Sequence, residues 1–130
     1  MKIYLALFTV ASVTFATSAF ALNCPNLNGD YSCVLADYPT VHEDMSIEQT
    51  GNVLTMDADK FVVDGQSHFG AFGSRYVIQC SGNSLYFHVA GLLGQSATET
   101  YSFSANGQLI VMRSEASSAA AKPSKICTRK

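Results

Sequence analysis

Apolar residues recur at every second position along most of this chain. Tyr31, Cys33 and Leu35 alternate with Ser32 and Val34, and Met45, Ile47 and Gln49 with Ser46 and Glu48. Leu54 and Met56 flank Thr55, Tyr76, Ile78 and Cys80 flank Val77 and Gln79, and Leu85, Phe87 and Val89 flank Tyr86 and His88. Tyr101 and Phe103 are set among Thr100, Ser102 and Ser104, while residues 61–63 and 109–112 are short continuous apolar runs. Successive side chains of a strand point to opposite faces, so each run predicts a strand with one buried face. Gly51-Asn52, Asp64-Gly65, Gly82-Asn83 and Asn106-Gly107 lie between runs and supply the positive φ that tight turns demand. Pro25, Pro39 and Pro123 fall outside the expected strands. Residues 114–122 are alanine-rich and stopped by Pro123, which predicts a short helix. A terminal strand follows over residues 125–128. The expected fold is all-β: an eight-stranded up-and-down antiparallel barrel, with a short helix and terminal strand near the C-terminus. An open sandwich is the alternative.

Met1-Lys2, an apolar run and Ser18-Ala19-Phe20-Ala21 read as a secretory signal peptide over residues 1–21. Residues 22–130 are then a single disulfide-bonded barrel domain, secreted or periplasmic, with no integral membrane segment in the mature chain. Cys24, Cys33, Cys80 and Cys127 all lie in that part, and an even count in an oxidising compartment implies two disulfides. Cys33 and Cys80 each share a strand face with core residues. That pairs Cys33 with Cys80 and leaves Cys24 with Cys127 to tie the termini.

The formal net charge of −2 excludes a strong nucleic-acid footprint. Eight acids and one base, Lys60, lie between Asp30 and Asp64, and Lys122, Lys125, Arg129 and Lys130 close the chain. Two solvated ends of opposite charge, in a monomer, are expected.

This order of elements resembles the lipocalin and wider calycin group. Gly29-Asp30-Tyr31 is similar to the family's opening Gly-x-Trp, and Arg113 to its late arginine. The resemblance implies that Arg113 stacks on Tyr31 and closes the barrel's base. It also implies an interior ligand. The chain departs from the family in having no tryptophan, shorter strands and a different cysteine spacing, which counts against a roomy cavity. A fainter resemblance, to small periplasmic lysozyme inhibitors, rests on Tyr31-Ser32-Cys33 and Gly73-Ser74-Arg75-Tyr76.

Catalytic patterns are weak. Gly65-Gln66-Ser67-His68-Phe69 misses the last glycine of a nucleophile elbow and the helix that should follow it. His42, His68 and His88 lack ligand spacing, and His42 with Met45 reads as a surface histidine beside a core methionine. Asp57 and Asp59 read as loop solvation. No catalytic residue, metal or cofactor is assigned, and no enzyme is expected. Two loops are unusually apolar, residues 69–73 and 91–94, carrying Phe69, Phe72, Leu92 and Leu93. Counted over eight strands, they share the end opposite the first connection, where a lipocalin mouth lies. They either plug the barrel or form one exposed patch. As a patch they join the inward aromatics Phe87, Tyr101 and Phe103 in the expected site. The expected function is non-enzymatic binding of a small apolar ligand. A protein-binding inhibitor or secreted effector acting through its loops is the alternative.

Overall fold

Each alternating run becomes a strand in the computed structural model, which describes residues 24–116 and 118–130. The expected signal peptide lies outside the described residues. Ten strands form: β1 (Gly29–Leu35), β2 (His42–Thr50), β3 (Val53–Met56), β4 (Asp59–Val62), β5 (His68–Phe69), β6 (Arg75–Ser81), β7 (Ser84–Ala90), β8 (Ser96–Phe103), β9 (Leu109–Glu115) and β10 (Ser118–Arg129). They make one antiparallel sheet in the order β4-β3-β2-β1-β10-β9-β8-β7-β6-β5. The core is the inward face: Tyr31, Cys33, Met45, Ile47, Leu54, Tyr76, Ile78, Leu85, Phe87, Tyr101, Leu109, Val111 and Cys127 are buried.

Two expectations about the elements are corrected. The eight-strand count missed β5, whose two residues are too few to show a period. The short helix expected over 114–122 is not seen; residues 114–115 belong to β9 and residues 118–122 to a long β10. Nine residues without an apolar stripe cannot hold a helix alone. Pairing with β9 satisfies the same backbone in a ladder, through Lys122 opposite Arg113 and Pro123 opposite Met112. Pro123 therefore lies inside a strand, contrary to expectation. It stands at a register shift between Pro123 and Lys125, where a bulge tolerates the missing N–H.

The insertion of β10 between β1 and β9 decides the disulfides. Cys33 and Cys127 are register partners on β1 and β10 and are bonded, with Cα atoms 4.0 Å apart. Cys24 bonds Cys80. The expected Cys33–Cys80 and Cys24–Cys127 pairs are thus overturned. Strand parity correctly turned Cys33 inward, but it carried no information about which strands are neighbours.

The seam of the sheet falls in mid-chain, between β4 and β5, instead of at the termini. Tyr76 on β6 bridges it: its hydroxyl oxygen accepts the Val62 N–H at 3.0 Å. Gly65 N–H donates to Ile78 O at 2.9 Å, and the Phe61 ring meets the rings of Tyr76 and Phe87 edge-on at 5.2 and 4.8 Å. The result is a nearly closed barrel.

Its two ends differ. At one lie the start of β1, the end of β10 and the turns 51–52, 82–83 and 104–108. Here residues 24–28 cross the base. Leu27 is fully buried, its N–H donates to Gln49 Oε1 at 2.7 Å, and its carbonyl accepts the Tyr31 hydroxyl at 2.7 Å. The guanidinium of Arg129 lies 5.7 Å from the Tyr31 ring centroid and 5.4 Å from that of Phe103. The expected base-closing stack exists, but its cation is Arg129 and not Arg113. Gly29 is required beneath it: φ is +153°, and a Cβ there would stand 3.0 Å from Arg129 Nε.

Candidate functional site

The opposite end is open. The register runs β1, β3, β5, β7 and β9 toward it, so connections 36–41, 57–58, 70–74 and 91–95 all gather there. The two apolar loops are thus neighbours, as expected, but at the same end as the first connection and not opposite it. The unforeseen β5 shifts the parity by one. The loops touch: a Cβ on Gly73, where φ is +71°, would meet Leu92 Cδ1 at 3.0 Å. Phe72 is 98% exposed and Leu93 87%. Phe69 and Leu92 are also exposed, so these side chains do not plug the barrel. Phe72 itself sits at φ +55°, an uncommon conformation for a bulky residue.

Between the β3–β4 hairpin, the 91–95 connection and the facing parts of β7, β8 and β9 opens a cleft of about 780 Å³. Its apolar walls are Met56, Phe61, Phe87, Val89 and Tyr101. Its polar lining is Asp57, Asp59, Glu99, Arg113, Glu115, Ser96 and Gln95. The volume falls within the range of small-molecule sites, larger than the sequence departures suggested. Of the expected site residues, Phe87 and Tyr101 line this cleft. Phe69, Phe72, Leu92 and Leu93 stand on loops at its end of the barrel. Phe103 lies at the base under Arg129 and is not part of it.

Strand parity explains the charged lining. Glu99 is two residues from buried Tyr101, and Arg113 and Glu115 follow buried Val111 at intervals of two. These charges therefore occupy inward positions where the barrel opens. Glu99 and Arg113 are register partners, and Arg113 Nη1 meets Glu99 Oε1 at 3.0 Å. Arg113 Nε also meets Glu115 Oε1 at 3.3 Å. The Tyr101 hydroxyl donates to the other oxygen of Glu99. Burial, with the Glu99 carboxylate beside it, pushes the Tyr101 phenol well above the ordinary tyrosine range. The signal for these residues was present in the alternation, which extends ahead of Tyr101 in β8 and beyond Val111 in β9.

Asp57 and Asp59 belong to the cleft wall and not merely to a solvated loop. Asp57 takes a positive φ of 56° in the β3–β4 turn, and its Oδ1 accepts the Ser46 N–H at 3.1 Å. A second, smaller hollow of about 370 Å³ adjoins through Arg113 and Glu115 and is bounded by Leu35, Tyr38, Lys122 and Pro123. Lys125 on β10 pairs with Glu43 on β2, the two strands that flank β1.

His68 Nε2 contacts the Asp64 carboxylate at 2.9 Å and stacks on Tyr76. The Gln66 backbone N–H and His68 hold the Asp64 carboxyl below its ordinary range. Ser67 is not joined to them; its Oγ accepts from Arg75 Nε at 3.2 Å. None of the three lines the cleft. Met45 is buried and His42 exposed, and among the described residues no three His, Cys, Asp or Glu side chains gather as a metal site. No described helix is long and apolar enough to cross a membrane, and the two disulfides are compatible with secretion. Neither protein-family models nor curated proteins give a match to this chain.

Proposed function

We propose that this protein is a secreted or periplasmic, non-enzymatic binding protein that holds one small ligand with an apolar body in the open end of its barrel. The observation that carries this reading is the cleft itself. One end of the barrel is covered by residues 24–28 and Arg129, while the other presents an aromatic hollow walled by Phe61, Phe87 and Tyr101. A barrel of this size holds either packed side chains or one small ligand, and here a cleft opens among the inward side chains at one end. Burying an apolar ligand against such walls is worth about 25 cal/mol per Å² of area removed from water. Titration with the neutral fluorophore N-phenyl-1-naphthylamine tests the reading. Saturable one-to-one uptake is expected, and Val89→Trp, which fills the cleft, should abolish it in protein with an unchanged circular dichroism spectrum. Uptake that survives this substitution, or never saturates, overturns the proposal.

A second reading, docking of a protein partner through the loops, is favoured by one observation. Tyr38, Val41, Phe69, Phe72, Leu92 and Leu93 are six of the seven large apolar residues exposed among the described residues, and all stand at the open end. Such a reading requires Phe72→Ser with Leu93→Ser to abolish partner capture while leaving fluorophore uptake intact.

A further inference from the structure

We infer that the ligand class of this cleft is an organic cation: an ammonium or guanidinium head on an apolar body. This rests on the carrier reading above and names what the cleft selects. Four carboxylates, Asp57, Asp59, Glu99 and Glu115, line it against a single cation, Arg113. That cation is already engaged, through Nη1 to Glu99 and through Nε to Glu115. The Tyr101 hydroxyl spends its proton on Glu99. A ligand carboxylate or phosphate would meet an arginine whose charge is already offset by two protein carboxylates, with two more carboxylates on the facing wall. An ammonium meets a surplus of acceptors: the oxygens of Asp57 and Asp59 on one wall, and Glu99, Glu115 and the Tyr101 oxygen on the other, against Arg113 and the Gln95 amide as donors.

The apolar walls add an independent preference. Phe61 and Phe87 meet edge-on at 4.8 Å, the edge of one ring against a face of the other, so this contact does not stack the two rings face to face. The face of an aromatic ring carries the negative part of its quadrupole and attracts cations. Charge surplus and aromatic lining thus favour the same ligand. The nearest basic side chain in the chain segment forming the acidic wall is Lys60, on the other face of β4 from Asp59 and Phe61. It does not line the cleft.

Calorimetric titration with octylammonium, 1-octanol and octanoate, which share one apolar chain, tests the charge preference. Octylammonium is expected to bind about tenfold more tightly than 1-octanol, and octanoate more weakly than either. The octylammonium advantage should shrink as salt rises from 20 to 200 mM, about the range over which exposed charges become screened. Asp57→Asn with Asp59→Asn should cost octylammonium about tenfold and narrow its gap to 1-octanol. Asparagine tolerates the positive φ at 57 and keeps an oxygen for the Ser46 N–H, so this variant is expected to fold. Equal binding of all three probes, or tightest binding of octanoate, overturns the inference and leaves the carrier reading standing. Failure of all three to bind overturns the carrier reading and the inference with it.

Discussion

Tyr101 is the residue at which core and cleft meet. Its ring is buried, and its hydroxyl ends at Glu99 on the cleft wall. Removing the hydroxyl by Tyr101→Phe deletes a hydrogen bond to a charged acceptor, at a cost of about 1.5–3 kcal/mol at neutral pH. Burial first, and the adjacent Glu99 carboxylate second, raise the folded-state pKa of this phenol. A group with a raised pKa contributes stability that is full below its unfolded value, about 10 for tyrosine, and declines as pH rises beyond it. The stability gap between wild type and Tyr101→Phe should therefore be widest at pH 7 and close above about pH 10. Urea unfolding at both pH values checks this, and a gap that stays constant refutes it. At this scale the sequence was half legible. Alternation identified Tyr101 as inward, and the same alternation carried two residues further reaches Glu99. Reading charge as solvation stopped the inference there, although the mouth of a barrel is where inward positions meet water. The base shows the converse. An aromatic–cation stack on Tyr31 was expected, but Arg113 and Arg129 both end strands on the inward face. Only the position of β10 beside β1 puts Arg129 over Tyr31.

Among elements, strands of four or more residues announced themselves, except for the first half of β10, and the failures have specific causes. β5 is two residues long and exists because it pairs with β6 at His68–Tyr76 and Phe69–Arg75, contacts that leave no local pattern. The alanine-rich stretch 114–122 has helix propensity, but a ladder with β9 outweighs it. The disulfides depended on strand order, which a single sequence does not encode. Their positions give them different roles. Cys33–Cys127 joins strands already paired in register, whereas Cys24–Cys80 fastens the crossing segment 24–28 to β6. Chain-entropy arguments value loops of 56 and 94 residues almost equally, at about 4–5 kcal/mol each. The distinction should appear in where protection is lost. Cys24→Ser with Cys80→Ser is expected to speed amide exchange at Leu27 and Tyr31 while the β1–β10 ladder stays protected. Cys33→Ser with Cys127→Ser should lower protection throughout the sheet. Uniform loss in both variants would mean that residues 24–28 are not a separate cover.

The whole molecule is polar in construction: covered by its own chain at one end, apolar-rimmed and open at the other. Exposed Phe and Leu at loop tips are uncommon on a monomer unless they serve contact, and here they concentrate where the cleft opens. The glycines at 73 and 94, both at positive φ, bend the two tips and leave their large side chains facing water. This arrangement separates two meanings of the same residues. If Phe72 and Leu93 plugged the barrel, replacing both with serine would remove buried area and cost several kcal/mol, about 2–5 for each large-to-small core change. Because both are exposed, the double serine variant should unfold within about 0.5 kcal/mol of wild type. Its retention on a hydrophobic matrix should fall markedly, since two of the rim's most exposed apolar groups are gone. Equilibrium unfolding alongside hydrophobic-interaction chromatography reads both quantities on one preparation. A large destabilisation with unchanged retention would place these loops inside the barrel in solution. It would also close the mouth through which a ligand is proposed to enter.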